Sequence, residues 1–179
     1  MVASLLACQT ATAASHPEQL QPLVRDSAKR IAVAREVALA KWDNGAPVED
    51  VERENQVIET AVVTARQHGL SEKFVASFFR AQIEANKTVQ YGLLAEWYRA
   101  GKAPTHSPIN LKETIRPKLD ELQTRLLDDL SSTSAIRKSD DCHAETSAAV
   151  GVYLKSEGRE MSPLESVALD RSLSTFCTR

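Results

Sequence analysis

Apolar residues recur three and four positions apart, with few interruptions, from residue 20 to residue 130. That is the period of helices with one buried face. A first helix is expected over about 17–43, its stripe being Leu20, Leu23, Val24, Ser27, Arg30/Ile31, Ala34, Val37/Ala38 and Lys41. Asn44-Gly45 stops it. Pro47, suited to a first helical turn, opens a second helix that runs to about His68, with Gly69 as its left-handed terminus. Ser71 caps a third helix carrying Val75, Phe79, Gln82/Ile83, Asn86, Gln90, Leu93/Leu94 and Trp97 on one face. Gly101 to Asn110, with Pro104 and Pro108, reads as a loop. A fourth helix is striped by Ile115, Leu119, Leu122, Leu126 and Leu130, with Arg125 at the edge of the stripe and Pro117 in the first turn or at a kink. Ser139 begins a fifth helix that ends before Gly158, and Ser162-Pro163-Leu164-Glu165 reads as the capping box of a sixth. No stretch reads as a strand or a repeat. The pattern predicts an all-α, single domain of about six helices, a three-helix core followed by a helical hairpin.

The polar residues that interrupt these stripes change the picture. Arg30 and Lys41 are 11 residues apart. At roughly 100° per residue that is close to three full turns, so both project from one face with Cα atoms roughly 16 Å apart along the axis. Asp50, Arg53 and Glu54 share a face of the second helix at i, i+3 and i+4, and Asn86 and Gln90 are an i, i+4 pair on the third. Taken singly, an Arg or Lys on such a face snorkels to water, and a core Asn or Gln satisfies a neighbouring backbone group. Taken together, several buried cations without partners are too costly, and an anionic ligand is the simplest compensation.

Composition and charge narrow the class. A chain of 179 residues, 42% hydrophobic and 26% charged, has enough apolar surface for one real core and is not a disordered segment. Net charge is −2, which argues against a nucleic-acid or anionic-membrane surface, and no stretch is long enough to span a bilayer. Cys8, Cys142 and Cys177 do not have zinc-ligand spacing, so no metal site is expected. Cys142 falls in the first turn of the fifth helix and Cys177 in the last turn of the sixth; those ends meet in an antiparallel hairpin, where a bridge is geometrically plausible beside the alternative of two free thiols. Met1 to Ser15 is uncharged, small and apolar, and resembles the back end of a secretory signal with Ala11-Thr12-Ala13 as its cleavage site. Leu5-Leu6-Ala7-Cys8 also fits a lipoprotein processing box, and a disordered cytosolic N-terminus is the plain alternative. The expected division is an export segment over 1–14 and one domain over 15–179, placed in the periplasm or outside the cell.

The joint spacing Arg30, Lys41, Asp50, Arg53-Glu54, then Asn86 and Gln90, resembles the active-site pattern of the all-helical chorismate mutases. The strings ALAKW (38–42), PVEDVERE (47–54) and AQIEANKTVQYGLL (81–94) match that family in kind and order. The extra helices, the export-like start and the late cysteine pair resemble its secreted subclass. The likeness covers roughly residues 17–130 by motif and the rest by architecture. It implies that Arg30 and Arg125 each clamp a substrate carboxylate, with Arg53 adding positive potential and Asn86 holding a carboxylate. It further implies that Asp50, through its backbone, and Glu54 fix the ring hydroxyl, and that Lys41 and Gln90 donate to the ether oxygen. Chorismate is the implied substrate, a homodimer the implied assembly, and no cofactor is implied. Three departures stand out: some secreted members have Thr where Asn86 stands, Gln where Val57 stands, leaving one polar contact absent here, and Glu where Gln90 stands, Gln90 instead resembling the small bacterial enzymes.

The chemistry suits these residue types. Chorismate to prephenate is a [3,3] rearrangement without nucleophile, proton transfer or metal, so catalysis consists of holding the compact conformer and stabilising charge as the C–O bond breaks. Two other readings remain open. Isochorismate-pyruvate lyase shares the fold and much of the pocket. A non-catalytic exported helical module predicts that Arg30, Lys41, Arg53 and Arg125 face solvent on different sides.

Overall fold

The computed structural model describes residues 16–178, and the export-like segment 1–14 with Cys8 lies outside them. Within the described residues every regular element is helical. The long first stripe forms three pieces, α1 (His16–Gln19), α2 (Gln21–Ala32) and α3 (Ala34–Asn44). The break after Ala32 lies beside a side-chain insertion: Asn86 Nδ2 donates to the Arg30 carbonyl at 2.6 Å. A side chain that draws a carbonyl toward itself is a recognised cause of such interruptions. Val33 keeps helical dihedrals (φ −64°, ψ −20°), so α2 and α3 continue one course and the Arg30–Lys41 register survives.

Gly45 ends α3 in the left-handed conformation (φ 62°), as Asn44-Gly45 implied. The next helix, α4 (Val51–Ala65), starts later than Pro47 suggested. Asp50 is its N-cap: Asp50 Oδ1 accepts from the Arg53 backbone N–H at 3.1 Å, and Glu54 Oε1 accepts from the Asp50 N–H at 3.2 Å. This reciprocal cap satisfies two donors that the first turn leaves free. Asp50 is therefore not on a helical face with Arg53 and Glu54; it precedes that face. A short 3₁₀ turn, Arg66–His68, carries the chain to Gly69 and into α5 (Glu72–Ala100). Ser71 stands at the N-cap of α5 without a side-chain capping bond.

After the loop, Asn110 Oδ1 accepts from the N–H groups of Lys112 and Glu113 (3.0 and 3.2 Å) and opens a π-helical turn, Leu111–Ile115, that runs directly into α6 (Arg116–Ser132). Pro117 occupies the first turn of α6, where its missing N–H costs nothing. A short α7 (Ser134–Arg137), unmarked in the sequence pattern, precedes α8 (Cys142–Ser156) and α9 (Pro163–Ser172). Both bonds of the Ser162/Glu165 capping box are formed.

Leu23, Val24, Ala61, Phe78, Phe79, Leu126, Leu130 and Leu169 form the main core between α2, α4, α5, α6 and α9. Ala34, Ala85 and Ala168 bring α3, α5 and α9 close, around Ile31 and Val89. At the other end of α5, Trp42 meets Trp97 edge to face with centroids 6.1 Å apart. One buried polar junction links three helices: Gln82 Nε2 donates to Ser27 Oγ at 2.9 Å and to the Ser172 carbonyl at 3.2 Å. Gln82, which shares the apolar stripe of α5, is thus structural.

Cys142 and Cys177 are bonded, with Cα atoms 5.9 Å apart. Cys142 starts α8 as expected, but α9 ends at Ser172, and Cys177 lies in the tail beyond it. Phe176, fully buried, turns that tail back onto the core. The bond closes a loop of 35 residues. Its reduction is expected to destabilise the protein by roughly 2–5 kcal/mol, mainly by freeing the unfolded chain. Denaturant midpoints measured with and without reductant test this; coincident midpoints would show that packing of Phe176 and Leu169 alone holds the hairpin.

Candidate active site

One pocket receives seven of the eight residues singled out for substrate binding. Arg30, Lys41, Asp50, Arg53, Glu54, Asn86 and Gln90 all line it, together with Val37, Val48, Val57, Ile83 and a face of α6. Counted with its open mouth, the cavity measures about 800 Å³. Arg30, Lys41 and Arg53 converge, which contradicts the reading of a module with cations scattered over its surface.

Arg30 is the most unusual group. It is 5% exposed, its guanidinium carbon lies 5.8 Å from the centroid of the Phe79 ring, and Nη1 donates to the Leu119 carbonyl at 3.2 Å. Nε is buried without a partner, and no carboxylate pairs with it among the described residues. Burial pulls its pKa down to about 10, Asp120 opposing and Arg53 adding to the drop. A cation held this dry is stabilised by an incoming anion far more than one on the surface. Lys41, half-buried on α3, donates to the Val48 carbonyl. Burial also lowers its pKa, against the pull of Asp50 and Glu54, while Lys87 pushes it further down. Arg53 pairs with Asp120 of α6 at 3.1 Å.

The amides of α5 form a chain. Gln90 Nε2 donates to Asn86 Oδ1 at 2.7 Å, and Asn86 Nδ2 donates to the Arg30 carbonyl. The bond to a carbonyl fixes the Asn86 amide, which in turn fixes Gln90 as the donor between them. Asn86 is thus spent on orienting Gln90 and anchoring α2, and is less free to hold a carboxylate than its position suggested.

Arg125 does not reach the pocket. Its Nε lies 3.0 Å from Asp26 Oδ2 on α2, and Nη1 bonds Glu121 Oε1 at 3.1 Å. The pocket face of α6 is instead Arg116, Leu119, Asp120 and Gln123, spaced i, i+3, i+4 and i+7. Arg125 is nine residues beyond Arg116, and at roughly 100° per residue that places it on the opposite side of the helix. Arg116 makes no ion pair among the described residues. The spacing of that stripe was visible in the sequence, but the more apolar stripe through Leu122 and Leu126 outweighed it. Lys87 was also missed: 8% exposed, it lines the pocket next to Asn86. Burial lowers its pKa, but its bonds to Glu84 and Glu54 more than reverse this and leave it raised. Among the described residues no helix is long and apolar enough to cross a membrane, and no group of His, Cys, Asp and Glu is arranged to hold a metal.

Known proteins resemble this chain in sequence and in fold. The family described as chorismate mutase type II matches residues 22–91, the stretch that supplies all of these residues except those of α6. A secreted chorismate mutase of Mycolicibacterium smegmatis is 28% identical over 158 residues, covering 88% of this chain and 86% of that protein. The secreted chorismate mutase of Yersinia pestis is 30% identical over 131 residues, 73% of this chain and 68% of that one. The crystal structure of a chorismate mutase from Burkholderia phymatum superposes with a TM-score of 0.88 at 40% identity, covering 93% of this chain and all of that one. With sequence and fold agreeing over most of its length, the chain belongs to the type II chorismate mutase family.

Proposed function

We propose that this pocket binds chorismate with Arg30 and Arg116 on its two carboxylates and rearranges it to prephenate. The protein is an isomerase of the chorismate mutase type, and it is secreted or periplasmic, a placement supported by the names of the Mycolicibacterium and Yersinia relatives, both secreted chorismate mutases. One observation carries the assignment of the clamps. Two guanidinium groups face one cavity, and neither has a carboxylate partner among the described residues. A dianion supplies both partners, and planar guanidinium groups suit carboxylates in bidentate geometry.

Between the clamps, Lys41 and Gln90 donate to the ether oxygen, where negative charge grows as the C–O bond breaks. Fixed donors there stabilise the transition state more than the substrate. Glu54, held by the Asp50 backbone N–H, takes the ring hydroxyl as its acceptor. Arg53, neutralised by Asp120, contributes potential rather than a clamp. The apolar wall of Val37, Val57 and Ile83 packs against the folded substrate and excludes water. The family likeness suggests a homodimer, and sedimentation of the native protein reads that state. Residues 1–14 are proposed as the export segment and 15–179 as the catalytic domain.

The test is loss of chorismate absorbance with prephenate as product, with isochorismate as a parallel substrate. Pyruvate release from isochorismate at a rate matching chorismate loss would assign the pocket to lyase chemistry instead. A finer expectation concerns Gln90. Its amide donates at every pH because it does not titrate. Wild-type turnover should fall only on the alkaline side, as Lys41 loses its proton at a pH that burial has moved below the free-lysine position. Gln90→Glu should work at acidic pH and fail as pH rises through the new carboxyl's pKa, because the ionised carboxylate repels the developing oxyanion. Parallel pH profiles for the two proteins would show that residue 90 does not touch the reacting oxygen.

A further inference from the structure

Lys87 lines the pocket, yet its ammonium group is engaged with protein carboxylates. Nζ lies 2.7 Å from Glu84 Oε1, 3.2 Å from Glu54 Oε2 and 3.8 Å from Glu49 Oε1. Its side chain is only 10% exposed, so this is not a surface lysine that happens to meet an acid. Glu54 is held at both ends: Oε2 by Lys87 and Oε1 by the Asp50 N–H at 3.2 Å. We propose that Lys87 is a positioning residue that fixes the Glu54 carboxylate for the ring hydroxyl of the substrate, so that selectivity for hydroxylated substrate is set from α5 as well as from α4.

A free Glu side chain samples many rotamers, and ordering it costs roughly 1–2 kcal/mol. An acceptor meant for one hydroxyl performs best when that cost is met before the substrate arrives. Lys87 meets it with two of its three N–H donors, one on Glu54 and one on Glu84. The same ammonium separates Glu54 from Glu84 and Glu49. Without it, three carboxylates would repel one another, and one of them, Glu54, lines a pocket that must admit a dianion. A third link reaches the disulfide-closed hairpin: Arg171 Nη2 of α9 lies 3.9 Å from Glu84 Oε2. Glu84 therefore stands between two cations and holds Lys87 in the rotamer that reaches Glu54.

The inference rests on the reading of Glu54 as the hydroxyl acceptor, and the experiment separates the two. Steady-state kinetics of Lys87→Met, Glu54→Gln and the double variant are measured with chorismate and with an analogue whose ring hydroxyl is replaced by hydrogen. With chorismate, Lys87→Met is expected to lower kcat/KM on the order of 10-fold, the effect of losing coupling between contacting residues. In the Glu54→Gln background the same change should cost nothing further. With the analogue, Lys87→Met should stay within about twofold of wild type, since there is no hydroxyl to receive. Equal losses on both substrates, or losses that add in the double variant, would overturn the proposal by showing that Lys87 acts only through charge or packing. If Glu54→Gln is impaired and Lys87→Met is not, the proposal fails while the Glu54 assignment stands. If Glu54→Gln is itself unimpaired on chorismate, both fail. Should Lys87→Met not fold, Lys87→Gln, which keeps a polar terminus without the charge, is read by the same criteria.

Discussion

Lys41→Ala is expected to reduce kcat by roughly 10²–10³ while leaving KM within a few fold, because one preorganised donor to a developing oxyanion is worth about that much. The group is placed for this. It extends from α3 into the pocket, and its donation to the Val48 carbonyl fixes its direction. Two further N–H bonds remain for the ether oxygen. Burial, the dominant influence on its pKa, also strengthens whatever charge interaction it makes with substrate. The ether oxygen carries little charge in chorismate and much more in the transition state, so the lost interaction appears in kcat rather than in KM. The decisive measurement is kcat at saturating chorismate for both proteins. A variant turning over within threefold of wild type would remove Lys41 from the mechanism.

Arg116→Ala is expected to raise KM by roughly 10–100-fold, the effect of losing a charge-assisted bond to a carboxylate present throughout the reaction. Arg125→Ala should leave KM near wild type. Its guanidinium serves the protein, being bound to Asp26, which is 9% exposed and also holds Lys29 at 2.9 Å. The neighbouring Asp129 carboxyl is pushed up to about 6, by burial first and then by Asp26 and Asp128, with Arg125 and Lys29 opposing. Removing Arg125 therefore leaves an acidic cluster with less compensation. Because Arg125 is 41% exposed, the cost should be only about 1 kcal/mol, a fall of roughly 2–4 °C in Tm. The contrast is the test: a raised KM in Arg125→Ala, with Arg116→Ala unchanged, would return the second clamp to the position first expected.

Arg116 lines the pocket and Arg125 does not, a choice the sequence alone leaves open. Period and spacing established that α2 and α3 share one register, because turns of about 100° accumulate predictably over the 11 residues from Arg30 to Lys41. They also placed Asn86 and Gln90 together, and the capping box of α9 was readable because its bonds are local. The all-helical class and the hydrophobic faces followed from the same short-range rules. Which face of α6 closes the pocket did not follow. Both faces carry an arginine, and the choice depends on the rotation of α6 against α2 and α4, which is decided by packing of Leu122, Leu126 and Leu130 into the core. The pairing of Lys87 with Glu54 likewise joins residues 33 apart on different helices. Asp50 is a cap rather than a member of a helical face because α4 begins at Val51, four residues after Pro47. Local periodicity determines what a helix presents, one face at a time. Only the assembled bundle decides which faces meet, because that choice is made by the sum of long-range contacts and not by any one segment.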